Sequence, residues 1–268
     1  MISKQIGRFY LYPRDAIAHG LLRVGVRPNH MTLLGMLLTL GAGVSLAAGR
    51  PYWSTWFVGL LVGAGACDLL DGALAKLGHF ESRLGGFLDS VCDRLGDAAL
   101  YLGPAFYFIA RPGDPEGAGR PNLTLSLLAC IGLVWAYLIS YIKARAEAAG
   151  GRAGGGFWQR PERLVTILLG AGFGHMTTAI WILALWPLTT IAHRLWLAVR
   201  TCGAADRGAS ADPADDEPRG VLGLVLWRWH RGTVPFDIHA GVVILMLVFW
   251  AAPETDWLRE LLARLMAV

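Results

Sequence analysis

"CDLLDGALAKLGHFESRLGGFLDSVCDRLGD", residues 67–97, sets Asp68, Asp71, Asp89, Asp93 and Asp97 among long apolar runs. Asp68 and Asp71 stand three apart, while Asp89, Asp93 and Asp97 repeat every four, so each set lines one face of its own helix. Gly65, Gly72, Gly78, Gly85 and Gly86 keep the two helices slim enough for those faces to meet, and Gly72 leaves room for a bulky ligand beside the carboxylates.

The surrounding chain is that of a membrane protein. Of its 268 residues 54% are hydrophobic and 16% charged, against about 25% charged in soluble domains. Residues 31–49, 51–67, 121–142 and 164–193 hold no Asp, Glu, Lys or Arg, and a bilayer span needs roughly 20 mostly apolar residues. The second window reaches full length only by running into the aspartate stretch, and residues 98–110 extend that stretch into a third span. The window 164–193 exceeds one helix, and Gly170, Gly172, Gly174 and His175 break it near the middle. Six transmembrane helices are therefore expected by about residue 199, an all-α polytopic bundle.

Basic residues orient the bundle, because cytoplasmic loops are enriched in Lys and Arg. Lys4, Arg8, Arg14, Arg23 and Arg27 precede the first span; Lys76 and Arg83 join the second and third; Lys143, Arg145, Arg152, Arg160 and Arg163 join the fourth and fifth. The opposite side carries only Arg50, Arg111 and Arg120, so the N-terminus is expected in the cytoplasm. Residues 1–22 lack the continuous apolar core of a cleavable signal and, with Ile6, Phe9, Tyr10, Ile17, Leu21 and Leu22 between basic positions, make residues 1–30 read as an interfacial amphipathic helix. The bundle then occupies residues 31–200. Residues 201–220, rich in Gly, Ala, Asp and Pro, read as a disordered linker, and 221–268 as an extension whose role the sequence does not disclose. Within that extension residues 238–253 are uncharged and reach span length only through Val234–Asp237 or by tilt, and 256–268 suit a surface amphipathic helix.

The four cysteines show no paired metal spacing, and the net charge of +4 comes from helix-end residues without the aromatic interleaving of a nucleic-acid surface. Anionic lipid and substrate phosphates are the expected partners; no nucleic acid is.

Ionisable groups at membrane depth are costly and mark function by default. Four carboxylates packed together repel one another unless cations neutralise them, and hard divalent ions with oxygen ligands answer that need. Two such ions can clamp a diphosphate and activate a hydroxyl, which makes phosphoryl-type transfer the leading chemistry. Structural ion pairs with Lys76, Arg83 and Arg94, or a proton or cation pathway, are the competing readings.

The stretch resembles the signature of the CDP-alcohol phosphotransferases, matched here by Asp68, Asp71, Gly72, Ala75, Gly85, Asp89 and Asp93 across both spacers, with Lys76 where the family has Arg. The resemblance implies that Asp68, Asp71 and Asp89 bind one metal, that Asp68, Asp89 and Asp93 contribute to a second, and that Asp93 is the general base. The cofactors would be two divalent ions, Mg or Mn, and the donor would be CDP-diacylglycerol, attacked at its β-phosphate with release of CMP. Lys76 keeps the charge of the family's Arg but loses its bidentate fork. "GVRPNHMT", residues 25–32, resembles the family's approach to the first span and adds Pro28, Asn29 and Thr32 to a donor site formed with Gly72, Ala75, Lys76 and Gly85.

"ISYIKARAEAAG", residues 139–150, and "QRPERL", residues 159–164, resemble the bacterial phosphatidylinositol phosphate synthase branch of that family. Lys143, Arg145, Arg160 and Arg163 collect at the cytoplasmic ends of the fourth and fifth helices, with Arg194 added by the same resemblance, a set suited to a dianionic phosphate. They favour a phosphorylated polyol acceptor, most simply inositol 1-phosphate, with glycerol 3-phosphate and a phosphatidylglycerophosphate product as the competitor. The resemblance also implies a homodimer in the inner (cytoplasmic) membrane with its active site facing the cytoplasm. A transporter whose aspartates bind a coupling cation, or an inactive scaffold, is the remaining alternative.

Overall fold

The structure, a computed structural model, describes residues 14–49, 56–110, 121–207 and 234–249. The chain there is helical: residues 14–23 (α1), Pro28–Ala48 (α2), Val58–Leu77 (α3), Arg83–Ala110 (α4), Leu123–Ala148 (α5), Arg160–Phe173 (α6), Met176–Leu185 (α7), Pro187–Asp206 (α8) and Val234–Phe249 (α9). No strand occurs among the described residues.

Among the described residues four stretches are long and apolar enough to cross a membrane: α2, α3, α5, and α7 with α8 as one stretch from Met176 to Asp206. The other two expected spans fall on α4, which is 28 residues long but carries the charged motif, and on α6, whose 14 residues extend about 21 Å. Val44, Phe106, Val134 and Leu185 each leave more than half their surface uncovered. Side chains of this kind belong against hydrocarbon, where the helices already satisfy their own backbone groups.

Local chemistry sets the helix ends. Pro28 opens α2, where its missing N–H costs nothing. The Asn122 side chain caps α5 by accepting from the Leu125 amide at 3.1 Å. Gly174, left-handed at φ 74°, ends α6, and the chain breaks there as the Gly170–His175 cluster predicts. Two boundaries differ from expectation. A turn at Val24–Gly25 ends α1, and α2 starts at Pro28 rather than at Met31. The α8 helix runs on to Asp206, so the disordered linker expected from residue 201 does not begin there, since Ala204 and Ala205 continue a helix as readily as they sit in a loop. Residues 208–220 of that linker, residues 256–268, and Ile6, Phe9 and Tyr10 lie outside the described residues.

The chain divides into two compact units, residues 1–103 and 104–268, with the boundary inside α4 at Pro104. In the first, Ala18 of α1, Met31 of α2 and Cys67, Ala73 and Leu74 of α3 form a core against which Leu21, Leu22 and Val26 pack. The apolar side of α1 is thus turned into protein contacts, while Ile17 remains exposed. In the second, Ile139, Ile142 and Ala146 of α5 pack with Ile191 of α8, and the Trp135 indole donates to the Ala184 carbonyl of α7 at 2.9 Å.

Small residues let α2 and α4 touch through their backbones. A Cβ on Gly43 would lie 2.5 Å from the Ala99 carbonyl oxygen and 2.7 Å from the Ala99 Cβ, so a methyl group there must push the helices apart. Gly43→Ala is expected to destabilise the protein by about 1–3 kcal/mol, read as a lowered thermal midpoint in detergent; an unchanged midpoint would mean that the contact is looser than it looks.

Candidate active site

The α3–α4 hairpin builds the acidic site, which lies wholly within the first unit. Gly78 donates to the Leu74 carbonyl and Phe80 to the Ala75 carbonyl, both at 2.9 Å, and His79 takes a left-handed φ of 54° to reverse the chain. Ser82 then caps α4, its Oγ accepting from the Gly85 amide at 3.0 Å. Sequence reasoning missed Ser82, although a serine three residues before Gly85 and just ahead of an apolar run is the signal for it.

This reversal brings the two carboxylate faces together. One oxygen each from Asp68, Asp71 and Asp89 lies within 4.8 Å of the others, with Asp68 exposed and Asp71 and Asp89 half-buried. Ligands at 2.0–2.6 Å from a common ion are at most about 5 Å apart, and an all-oxygen donor set suits Mg or Mn better than a softer metal. The residues therefore fit a hard divalent cation. Asp93, one turn beyond Asp89, is not part of this trio; its carboxylate is 3.9 Å from the Arg94 guanidinium. Asp97 is different again, almost fully buried and 3.5 Å from Arg94, so the structural ion-pair reading describes that member of the series.

The residues expected to bind the donor lie unevenly around the trio. The Thr32 hydroxyl donates to Asp71 Oδ2 at 2.9 Å, a shorter contact than its 3.3 Å approach to the Pro28 carbonyl. Thr32 is thus more than a helix-start residue. Asn29 borders Gly85, since a Cβ there would lie 3.6 Å from Asn29 Oδ1. Among the described residues nothing stands within 4 Å of a Cβ built on Gly72, which leaves space beside Asp71. Ala75 is half-buried, and Lys76 is exposed in the last turn of α3.

The basic residues all belong to the second unit and fall into two groups. Lys143 and Arg145 are exposed on the last turns of α5, with Lys143 3.8 Å from Glu147, while Arg160 opens α6 half-buried. Arg163 and Arg194 are only 2% and 6% exposed. Arg163 Nη1 donates to the Trp158 carbonyl at 3.3 Å; Arg194 donates through Nη1 to the Ile139 carbonyl at 2.6 Å and through Nε to the Gly155 carbonyl at 3.2 Å. A guanidinium has five N–H donors, so carbonyl anchoring on one edge is compatible with anion binding on another.

Residues 26–204 match the profile of the CDP-alcohol phosphatidyltransferase family. A phosphatidylinositol phosphate synthase of Mycobacteroides abscessus is 37% identical over 211 residues, 75% of this chain and 90% of that protein. Its counterpart from Mycolicibacterium smegmatis is 38% identical over 199 residues, 70% and 84% of the two chains. The crystal structure of the Mycobacterium tuberculosis phosphatidylinositol phosphate synthase with CDP-DAG bound matches at a TM-score of 0.63 and 33% identity, covering 72% of this chain and 97% of that one. A second structure of that enzyme, in complex with manganese and citrate, matches at 0.64 and 33% identity, covering 72% and 92%. With its acidic hairpin, its apolar helices and relatives of this likeness, the chain belongs to the CDP-alcohol phosphatidyltransferase family.

Proposed function

We propose that this chain is a membrane phosphatidyltransferase that moves the phosphatidyl group of CDP-diacylglycerol onto the hydroxyl of inositol 1-phosphate and releases CMP. The convergence of Asp68, Asp71 and Asp89 beside Thr32 carries the reading, because it supplies the all-oxygen site that diphosphate chemistry needs, in a chain similar to phosphatidylinositol phosphate synthases.

Two divalent ions, Mg or Mn, held by Asp68, Asp71, Asp89 and Asp93, would neutralise the diphosphate and the charge that develops on the leaving CMP. Thr32 holds the Asp71 carboxylate in place for that duty. Pro28, Asn29, Gly72, Ala75 and Gly85 frame the nucleotide, and Lys76 meets the donor phosphates. Asp93 accepts the proton of the acceptor hydroxyl as its oxygen bonds to the β-phosphorus; the bond from that phosphorus to the CMP oxygen breaks, and CMP leaves with the electron pair. Lys143, Arg145, Arg160, Arg163 and Arg194 hold the acceptor phosphate.

The proposal extends to the setting. Residues 31–200 would form a six-helix bundle over α2 to α8, preceded by an interfacial helix, with the site open to the cytoplasm at the inner membrane and α9 a further short membrane helix. The alternation of Lys- and Arg-rich loops supports that orientation. The working unit would be a homodimer, and the donor would enter sideways from lipid.

CMP release by purified protein with Mg, compared across inositol 1-phosphate, glycerol 3-phosphate, free inositol and serine, tests the assignment. Release with inositol 1-phosphate alone supports it, whereas preference for glycerol 3-phosphate keeps the mechanism and changes the product. A transporter or scaffold would release no CMP with any acceptor. Lys76 allows a gain-of-function test as well. Lys76→Arg restores a bidentate donor, and the KM for CDP-diacylglycerol should fall by about three- to tenfold; an unchanged KM would place Lys76 away from the diphosphate.

A further inference from the structure

We infer that α9, which lies beyond the matched residues 26–204, is a positioning element for the acceptor site, acting through Phe236 and His239 on the Gly155–Trp158 loop. The inference rests on the reading that Arg163 and Arg194 hold the acceptor phosphate. Both arginines are bonded to that loop, Arg163 through the Trp158 carbonyl and Arg194 through the Gly155 carbonyl, the latter beside its 2.6 Å bond to Ile139 of α5.

The loop packs closely against α8. Gly155 and Gly156 adopt φ of 82° and 85°, which side chains resist, and a Cβ on Gly156 would collide with the Thr190 side chain. The Trp158 amide donates to Thr190 Oγ1 at 3.0 Å, and His193 Nε2 would lie 3.1 Å from a Cβ on Gly155. The loop's other side is held by α9. The Phe157 ring lies 4.8 Å from the Phe236 ring and 4.3 Å from the His239 ring, the latter edge to face, and 5.2 Å from its neighbour Trp158. His239 also meets Trp186, 6.0 Å away at the α7–α8 junction, so α9 ties the loop to the helix that carries Arg194.

The chemistry explains why a clamp is needed. Phe157 and Trp158 are 3% and 0% exposed, yet they sit in a loop that begins with a glycine-rich run and has no helix ladder of its own. Aromatic contacts of this geometry stabilise beyond their buried area, and they bear on the residues whose carbonyls aim the guanidiniums. Loosening Phe157 therefore lets the carbonyls of Gly155 and Trp158 drift while α5, α6 and α8 stay in place.

The test uses the full-length protein in lipid nanodiscs, carrying Phe236→Ala and His239→Ala together. Amide hydrogen exchange at residues 155–158 should accelerate, and the KM for inositol 1-phosphate should rise about tenfold while kcat and the KM for CDP-diacylglycerol stay within about twofold. The conservative Phe236→Tyr should keep native values. If the double variant is not extracted at native yield, Phe236→Leu alone is read by the same criteria. Unchanged exchange overturns the inference, and so does faster exchange with an unchanged acceptor KM. Arg194→Gln separates the two levels: if it leaves the acceptor KM unaltered, the basic-site reading fails and the inference falls with it, whereas a raised KM there alongside an unmoved double variant sinks the role of α9 alone.

Discussion

Asp93→Asn should cut CMP release by about 10²–10⁴-fold while the protein is extracted at normal yield. Asparagine keeps the shape of the side chain and removes its ability to accept the acceptor's proton. The fold should barely notice, because the Asp93–Arg94 contact at 3.9 Å is long and partly exposed, and pairs of that kind contribute about 0–1 kcal/mol. The position of Asp93 sharpens the test. It lies one turn from Asp89 yet outside the trio of converging oxygens, so its loss should spare the first divalent ion while stopping turnover. A folded Asp93→Asn protein with substantial activity would remove Asp93 from the role of base.

Asp89→Ala should move stability and function in opposite directions. With one of its oxygens within 4.8 Å of one oxygen each of Asp68 and Asp71, the Asp89 carboxylate repels both in the metal-free protein, by an amount on the order of 1–3 kcal/mol at the effective dielectric of a protein interior. Removing it should raise the thermal midpoint in EDTA by a few degrees, at roughly 2–4 °C per kcal/mol. Manganese should then no longer raise the midpoint, since saturating ligand stabilises only a protein that binds it, and CMP release should disappear. Paired melting curves with EDTA and with Mn, alongside titration of Mn by electron paramagnetic resonance, give both readouts. A lowered midpoint in EDTA would show that Asp89 contributes more as a hydrogen-bonding group than it costs as a charge. Undiminished Mn stabilisation would take it out of the metal site.

Much of the acidic site is legible in the sequence because its logic is local. Three- and four-residue spacings put Asp68 with Asp71, and Asp89 with Asp93 and Asp97, on single helix faces whatever else the chain does. The break at Gly174 is equally local. The different duties within one stripe are not. Asp97 is buried against Arg94 while Asp89 turns to Asp71, and no spacing rule distinguishes two residues on the same helix face. Helix ends are less legible, since α8 passes through residues whose composition suits a linker, and packing outweighs that composition.

Hydrophobicity and helical period act over a few residues at a time, so the all-α membrane character, the two carboxylate faces and the order of the apolar segments are written along the chain. Contacts between distant residues depend on the packing of the helices. The turn at Gly78–Ser82 lets Asp89 reach Asp68 and Asp71. Thr32 bonds Asp71 across 39 positions, and Arg194 bonds the carbonyls of Gly155 and Ile139 across 39 and 55. The docking of Phe236 and His239 on Phe157 is of the same kind. Such pairs carry no local signal: each forms only once the packing of whole helices has fixed which backbone groups and ring faces come within reach.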